Sequence, residues 1–226
     1  MIEFGLVTEG ISDQIVLENI LFGFFNNKNI PVEPLQPLRD TTDENRYIGQ
    51  ANWIEVFEYC QTNIFKVAVA TKDYVIVQID TDALNGDSVP EKYRLNLQQA
   101  NLEETITIVK NKLIDLMTLD FYEQFQHKIL FAISINAIEC WLLPFYFPSL
   151  KTKAAKTENC ISTLNEGLQK AGHKFYIKAK DPNYYREASE PLKKHKELIR
   201  LYELNPSLKI FVDDLQNRHI EVEENQ

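Results

Sequence analysis

The period of the apolar positions changes along the chain, and each change predicts an element. Ile2 to Val7 is a short β-prone run that Thr8-Glu9-Gly10 breaks. Ile15, Val16, Ile20, Leu21 and Phe24 then recur at helical spacing, with Ser12 placed to cap the helix and Asn26-Asn27-Lys28-Asn29 to end it. A second strand is expected near Val32 to Leu38, where Pro31, Pro34 and Pro37 make it an edge strand or an irregular one. Trp53, Val56, Phe57 and Cys60 share a face and predict a helix from about Gln50 to Asn63; Val67 to Ala70 reads as a short extended piece. Tyr74 to Ile79 is almost continuously apolar, as a strand covered on both faces is. A polar loop with Asn85-Gly86-Asp87 follows, long enough to reach over the end of that strand. Leu102, Ile106, Val109, Leu113, Leu116 and Met117 mark an amphipathic helix over about 100–119, and Ile129 to Ile135 is the next buried strand. Ile138 to Leu143 begins another helix. Beyond Pro148 the helical stretches lie near 157–171, 187–204 and 207–215, before an acidic tail at 221–226. Strands alternating with helices imply an α/β fold with a mainly parallel sheet over 1–148 and a helical extension over 149–226 packed on it.

Two of the strands end on acids. Asp80-Thr81-Asp82 closes the run 74–79, and Glu9 follows the first strand. The crevice beyond the carboxyl ends of a parallel sheet is where ligands bind, and hard oxygen donors there suit Mg²⁺ or Mn²⁺ together with a phosphate. If the two strands are neighbours, three like charges converge, and they must stay solvated or share a divalent cation. Asp80 and Asp82 are then metal ligands, and Glu9 is a further ligand or a general acid/base. Gly10 would allow a sharp turn after Glu9 and a close backbone approach. The structural alternatives are a Glu9 favoured by the helix dipole and an Asp82 that merely serves a turn.

Composition narrows the setting. The net charge of −9 argues against a protein that coats nucleic acid by charge alone. Residues 151–200 nevertheless hold 12 Lys/Arg against 6 Asp/Glu, either as solvated helix faces or as a phosphate-tracking surface. The three cysteines share no metal-ligand spacing and read as separate small core residues in a reducing cytoplasm. No apolar run approaches the roughly 20 residues of a membrane span, so no membrane partner is expected. His127, His173, His195 and His219 have no mutual metal spacing. Tyr184-Tyr185-Arg186 reads as a loop packing on the core or as a base-stacking element.

Val7-Thr8-Glu9-Gly10-Ile11-Ser12-Asp13, about 70 residues ahead of Val77-Gln78-Ile79-Asp80-Thr81-Asp82, resembles the Toprim domain, the metal-binding module of topoisomerases, bacterial primases, recombination proteins and overcoming-lysogenisation-defect (OLD) nucleases. Ser134 to Leu143, with Glu139 before Trp141-Leu142-Leu143, resembles a segment of small standalone RloB-like Toprim proteins of bacterial defence and mobile loci, and Asn205 to Phe211 is similar to the ending of such chains. The likeness covers residues 1 to about 145 and the remainder faintly. It implies a Rossmann-like Toprim fold that uses Mg²⁺ or Mn²⁺ for phosphodiester chemistry on DNA or RNA, a nuclease of phage defence or DNA repair. Asp80, Asp82 and Glu9 would bind the metal, with Glu9 and the auxiliary Glu139 as catalytic groups. OLD nucleases also use a lysine near the site; Lys178, Lys180, Lys193 and Lys194 are its candidates and the candidate nucleic-acid contacts. There is no Walker A motif, so the implied ATPase is a separate subunit, and a homo-oligomer is compatible with the likeness. Two other functions use parts of the same pattern: a non-catalytic Toprim-like scaffold for nucleic acid or a partner, and an Asp-x-Asp glycosyltransferase.

Overall fold

Among the described residues six strands form: β1 (Phe4–Val7), β2 (Val32–Gln36), β3 (Leu38–Arg39), β4 (Tyr47–Ile48), β5 (Tyr74–Asp80) and β6 (Ile129–Ser134). The structure is a computed structural model and describes residues 2–40, 42, 46–48, 51–84, 89–178 and 180–222. Four strands make one all-parallel sheet in the order β2-β1-β5-β6, while β3 and β4 pair antiparallel beside it. From β1 the chain first moves out to β2 and later returns to the opposite side of β1 at β5. The strand order therefore reverses between β1 and β5, and such a switch point opens a crevice at the carboxyl ends of the two strands. As expected, β2 is an edge strand; it contains Pro34, and its register is irregular opposite Leu6 and Val7.

Side chains alternate between two apolar clusters, one on each face of the sheet. Phe4, Leu6, Ile76, Leu130 and Ala132 belong to one, and Val7, Val75, Val77, Ile79, Phe131 and Ile133 to the other. On the first face lies α1 (Ile11–Phe24), whereas α2 (Trp53–Cys60), α3 (Asn63–Thr71), α4 (Leu102–Met117) and α5 (Leu119–Phe125) cover the second. The later helices are α6 (Leu143–Tyr146), α7 (Lys151–Ala154), α8 (Cys160–Lys170), α9 (Pro182–Ala188), α10 (His195–Leu201) and α11 (Pro206–Asn217). Leu164, Tyr185, Leu198 and Phe211, from four of these helices, share the first cluster with α1. No helix among the described residues is long and apolar enough to cross a membrane.

Several local expectations change. Val67 to Ala70 is helical, inside α3: the Thr62 hydroxyl accepts from the Phe65 N–H at 3.1 Å, and Phe65, Ala68 and Val69 form a buried helical stripe. The helix expected over 50–63 starts later, at Trp53, because the Asn52 side chain caps it; Gln50 lies outside the described residues. Pro191 breaks the stretch 187–204, which divides into α9, a 3₁₀ turn at Glu190–Lys193, and α10. Ile138 to Leu142 is likewise a 3₁₀ turn ahead of α6. The loop Asn85-Gly86-Asp87 and the tail from residue 223 lie outside the described residues.

The reading of three separate thiols is also corrected. Cys140, in the 138–142 turn, and Cys160, at the start of α8, are 5.0 Å apart at Cα and form a disulfide, leaving Cys60 as a free buried thiol. The bridge removes the cysteine-based reason for expecting a reducing compartment.

Candidate functional site

Parallel pairing of β1 with β5, Val7 opposite Val77, sets Glu9 beside the end of β5. The Asp80 N–H donates to Glu9 Oε1 at 2.7 Å, and the Glu9 N–H donates to Gln78 Oε1 at 3.4 Å. Gln78 in turn donates to Asp80 Oδ1 at 2.8 Å, which explains a fully buried amide in an otherwise apolar strand. Asp80 points to the same face of the sheet as Ile76, the face that α1 covers. There it meets Lys180, whose ammonium donates to Asp80 Oδ2 at 2.9 Å and to Asp13 Oδ1, in the first turn of α1, at 2.8 Å. Five residues, Glu9, Asp13, Gln78, Asp80 and Lys180, from three distant parts of the chain thus close a single network at the switch point.

Charge is concentrated there beyond what the lysine neutralises. Burial pushes the Glu9 carboxyl up to about 8, with Lys180 opposing and Asp13 adding to the rise. Asp80 is held well above the usual carboxylate range, first by burial and then, against Lys180, by Glu9, Asp13 and Glu139. Asp13 is raised for the same first reason. Burial would lower Lys180, but the carboxylates of Asp13, Asp80, Glu9 and Glu139 outweigh it and hold the ammonium well above its ordinary value. The Lys180 side chain keeps 38 % of its surface exposed, so the cation reaches in from solvent.

Glu139, in the turn after β6, is completely buried and accepts a hydrogen bond from the Tyr185 hydroxyl of α9. Its other oxygen, Oε2, has no partner, and neither do Asp13 Oδ2 and the hydroxyls of Ser12 and Ser134, all of them buried. Unpaired buried carboxylate oxygens are costly and call for a donor or a cation. Asp82 differs from its neighbour: the Asp82 N–H donates to Asn136 O at 3.1 Å, and its side chain is exposed at the rim. Asn136 takes a left-handed backbone at φ 61° and donates its N–H to Thr81 Oγ1 at 2.8 Å, tying the ends of β5 and β6 together.

Among the sequence candidates, the structure brings Glu9, Asp80, Glu139 and Lys180 into one electrostatic cluster, with Asp82 at its edge. Lys178 is exposed two residues from Lys180. Lys193 and Lys194 are elsewhere: Lys193 pairs with Glu190, and the turn that carries them packs on Gly23 at the far end of α1, about 15 Å along the helix from Asp13. Asp13 is the addition that the sequence reading passed over. Its signal is the i, i+4 spacing from Glu9, which returns an acid at the first turn of a helix towards the residue before it. Tyr185 is a core side chain of α9 that supports Glu139. Two local readings also change. Gly10 is extended at φ −163°, so no turn requires glycine there; a Cβ would instead stand 3.2 Å from Asp13 Oδ2. Ser12 is inside α1 rather than at its cap.

Among the described residues, no group of three or more His, Cys, Asp or Glu is spaced to close around a metal ion; Lys180 stands between Asp13 and Asp80 instead. The donor chemistry nevertheless fits a hard divalent cation, because every donor is oxygen and the orphaned oxygens of Asp13 and Glu139 lack a positive partner. The chain matches no family model, no curated protein and no solved structure.

Proposed function

We propose that this chain carries out phosphodiester chemistry on DNA or RNA as a Toprim-type nuclease. The observation that supports the reading most is the meeting of Glu9, Asp13, Asp80 and Lys180 at the β1/β5 switch point. Asp80, Asp82, Glu9 and Asp13 would hold a Mg²⁺ or Mn²⁺ ion, which when bound supplies Lewis-acid polarisation of a phosphoryl oxygen. Lys180, charged throughout the physiological range, binds the negative charge that builds on the phosphoryl oxygens. Glu9, where it stands off the ion rather than binding it, is placed to exchange a proton with the entering or leaving oxygen. Glu139, steadied by Tyr185, adds to the field that holds Lys180 charged. Lys178 offers a contact for a flanking phosphate. A phage-defence or repair setting, a separate ATPase partner and a homo-oligomer belong to this reading through the Toprim resemblance.

A calorimetric titration with Mn²⁺ tests the site. Wild type is expected to bind the ion and Asp80→Asn to lose it; equal heats in both would refute the assignment. One observation favours a second reading, a non-catalytic scaffold: both Asp80 oxygens already have protein donors, Gln78 and Lys180. A wild-type protein that binds oligonucleotides but no divalent cation would select it.

A further inference from the structure

Beside the carboxylate cluster runs a second feature, a cleft of about 970 Å³. It starts at Asp82, passes Asn136 and Cys140, and is walled on the other side by α8. We infer that this cleft is a nucleobase pocket with Tyr176 as its stacking platform, so that the substrate is single-stranded or carries an unpaired base next to the reacting phosphate. The inference deepens the nuclease reading and rests on it.

Three observations carry it. The first is size and position. The volume lies at the upper end of the range for small-ligand sites, and Ile161, Asn165 and Gln169, one stripe of α8, give a wall about 12 Å long. Because Asp82 belongs both to the edge of the cluster and to the lining of the cleft, the two features are contiguous there.

The second is an aromatic ring held in place without being buried. Ile177, only 1 % exposed, is clasped by Asn165: its N–H donates to Asn165 Oδ1 at 2.7 Å, and Asn165 Nδ2 donates back to its carbonyl at 2.9 Å. The clasp presents the preceding residue, Tyr176, into the cleft, and Gln169 donates to the Tyr176 hydroxyl. Tyr176 nevertheless keeps 46 % of its surface exposed, and Ile161 on the same wall keeps 40 %. A fixed, solvent-facing ring beside an exposed aliphatic side chain is the arrangement on which an unpaired base stacks. A base inside a duplex has both of its faces covered and cannot use it.

The third is charge. The lining contains Asp82, Glu158 and Glu166 but, among the described residues, no lysine or arginine. Lys153 and Lys170 neutralise Glu166, at 2.6 Å and 2.7 Å. Such a lining offers a phosphate no cation of its own and accepts a neutral heterocycle, whose N–H groups Glu158 can bind. Phosphates are left to the lysine side of the site, bases to the acidic side.

The test is a titration in chelator, without divalent metal so that nothing is cut, of an oligonucleotide that contains one 2-aminopurine, followed by both anisotropy and 2-aminopurine fluorescence. Wild type is expected to bind the single strand with quenching of the probe, and to bind the matching duplex at least tenfold more weakly. Tyr176→Phe should keep the quenching. Tyr176→Ala should lose it and bind about tenfold or more weakly, the loss of one base stack. Ile161→Glu, a surface change on the same wall, should act in the same direction. Single-strand binding by Tyr176→Ala and Ile161→Glu that equals wild type, or equal binding of duplex and single strand, would overturn the pocket and leave the nuclease reading standing. No anisotropy change with any oligonucleotide, either in chelator or with Ca²⁺ in place of the catalytic ion, would overturn both.

Discussion

Lys180 is the residue on which the electrostatics of the cluster turn. It faces the buried carboxylates of Asp13 and Asp80, and removing it leaves them without their cation. Lys180→Met should therefore cost about 1–3 kcal/mol in urea unfolding, less than the 3–5 of a fully buried pair because the lysine side chain is 38 % exposed. Adding Asp13→Asn to that variant should recover part of the loss. Glu9 supplies a pH signature. In the folded chain it holds its proton to about 8, against 4.5 for a free glutamate, so the folded state binds the extra proton between those values. The Glu9 contribution to stability in metal-free buffer should fall as pH rises from about 4.5 to about 8 and then level off, because only within that window does the folded state hold a proton that the unfolded chain has released. Allowing for its partial exposure, wild type should lose about 1–3 kcal/mol more than Glu9→Gln across it, measured by urea unfolding at pH 5 and pH 8.5. Glu9 and Asp80 were legible in the sequence because each ends an apolar strand. Lys180 was visible only as one of several lysines in a basic segment, since a contact across 100 residues leaves no local pattern.

At the scale of elements, α1 both places Asp13 and anchors the later helices. Gly23, near its end, lets the 190–193 turn approach: a Cβ there would lie 1.9 Å from the Leu192 carbonyl oxygen. Helix propensity favours alanine over glycine by about 1 kcal/mol, but a backbone clash of this kind forces the two elements apart. Gly23→Ala should thus destabilise the protein, by about 1–3 kcal/mol in denaturant titration, with loss of the packing of α10 on α1. The long periodic elements, α1, α4, β5 and β6, could be read from the chain because burial on one or two faces writes itself into spacing. Short apolar runs could not: Val67 to Ala70 has no period of its own, and the cap at Thr62 made it helical. Pro191 and the 3₁₀ turns split what looked like one helix over 187–204.

For the whole molecule, the α/β architecture with a parallel sheet and later helices packed on it was legible, whereas the covalent tie within that covering was not. Helices α8 to α11 share one apolar cluster with α1 and with Phe4 and Leu6 of β1, and the disulfide joins the Glu139 turn to α8. Cys140 and Cys160 are separated by 20 residues and show no sequence motif, so only the packing of that turn on the helix reveals the pair. Thiol titration of the unfolded, unreduced chain should find Cys60 alone, and Cys160→Ser should lower stability by about 2–4 kcal/mol, as expected for a loop of this length. The central claim, that the crevice between β1 and β5 performs metal-dependent phosphodiester chemistry, is tested most directly by cleavage of end-labelled single-stranded and duplex DNA and RNA with Mn²⁺, comparing wild type with Asp80→Asn. Cleavage by wild type that requires Mn²⁺ and drops on the order of 100-fold in Asp80→Asn is the predicted result. No cleavage of any of these substrates, or cleavage undiminished in the variant, would contradict it.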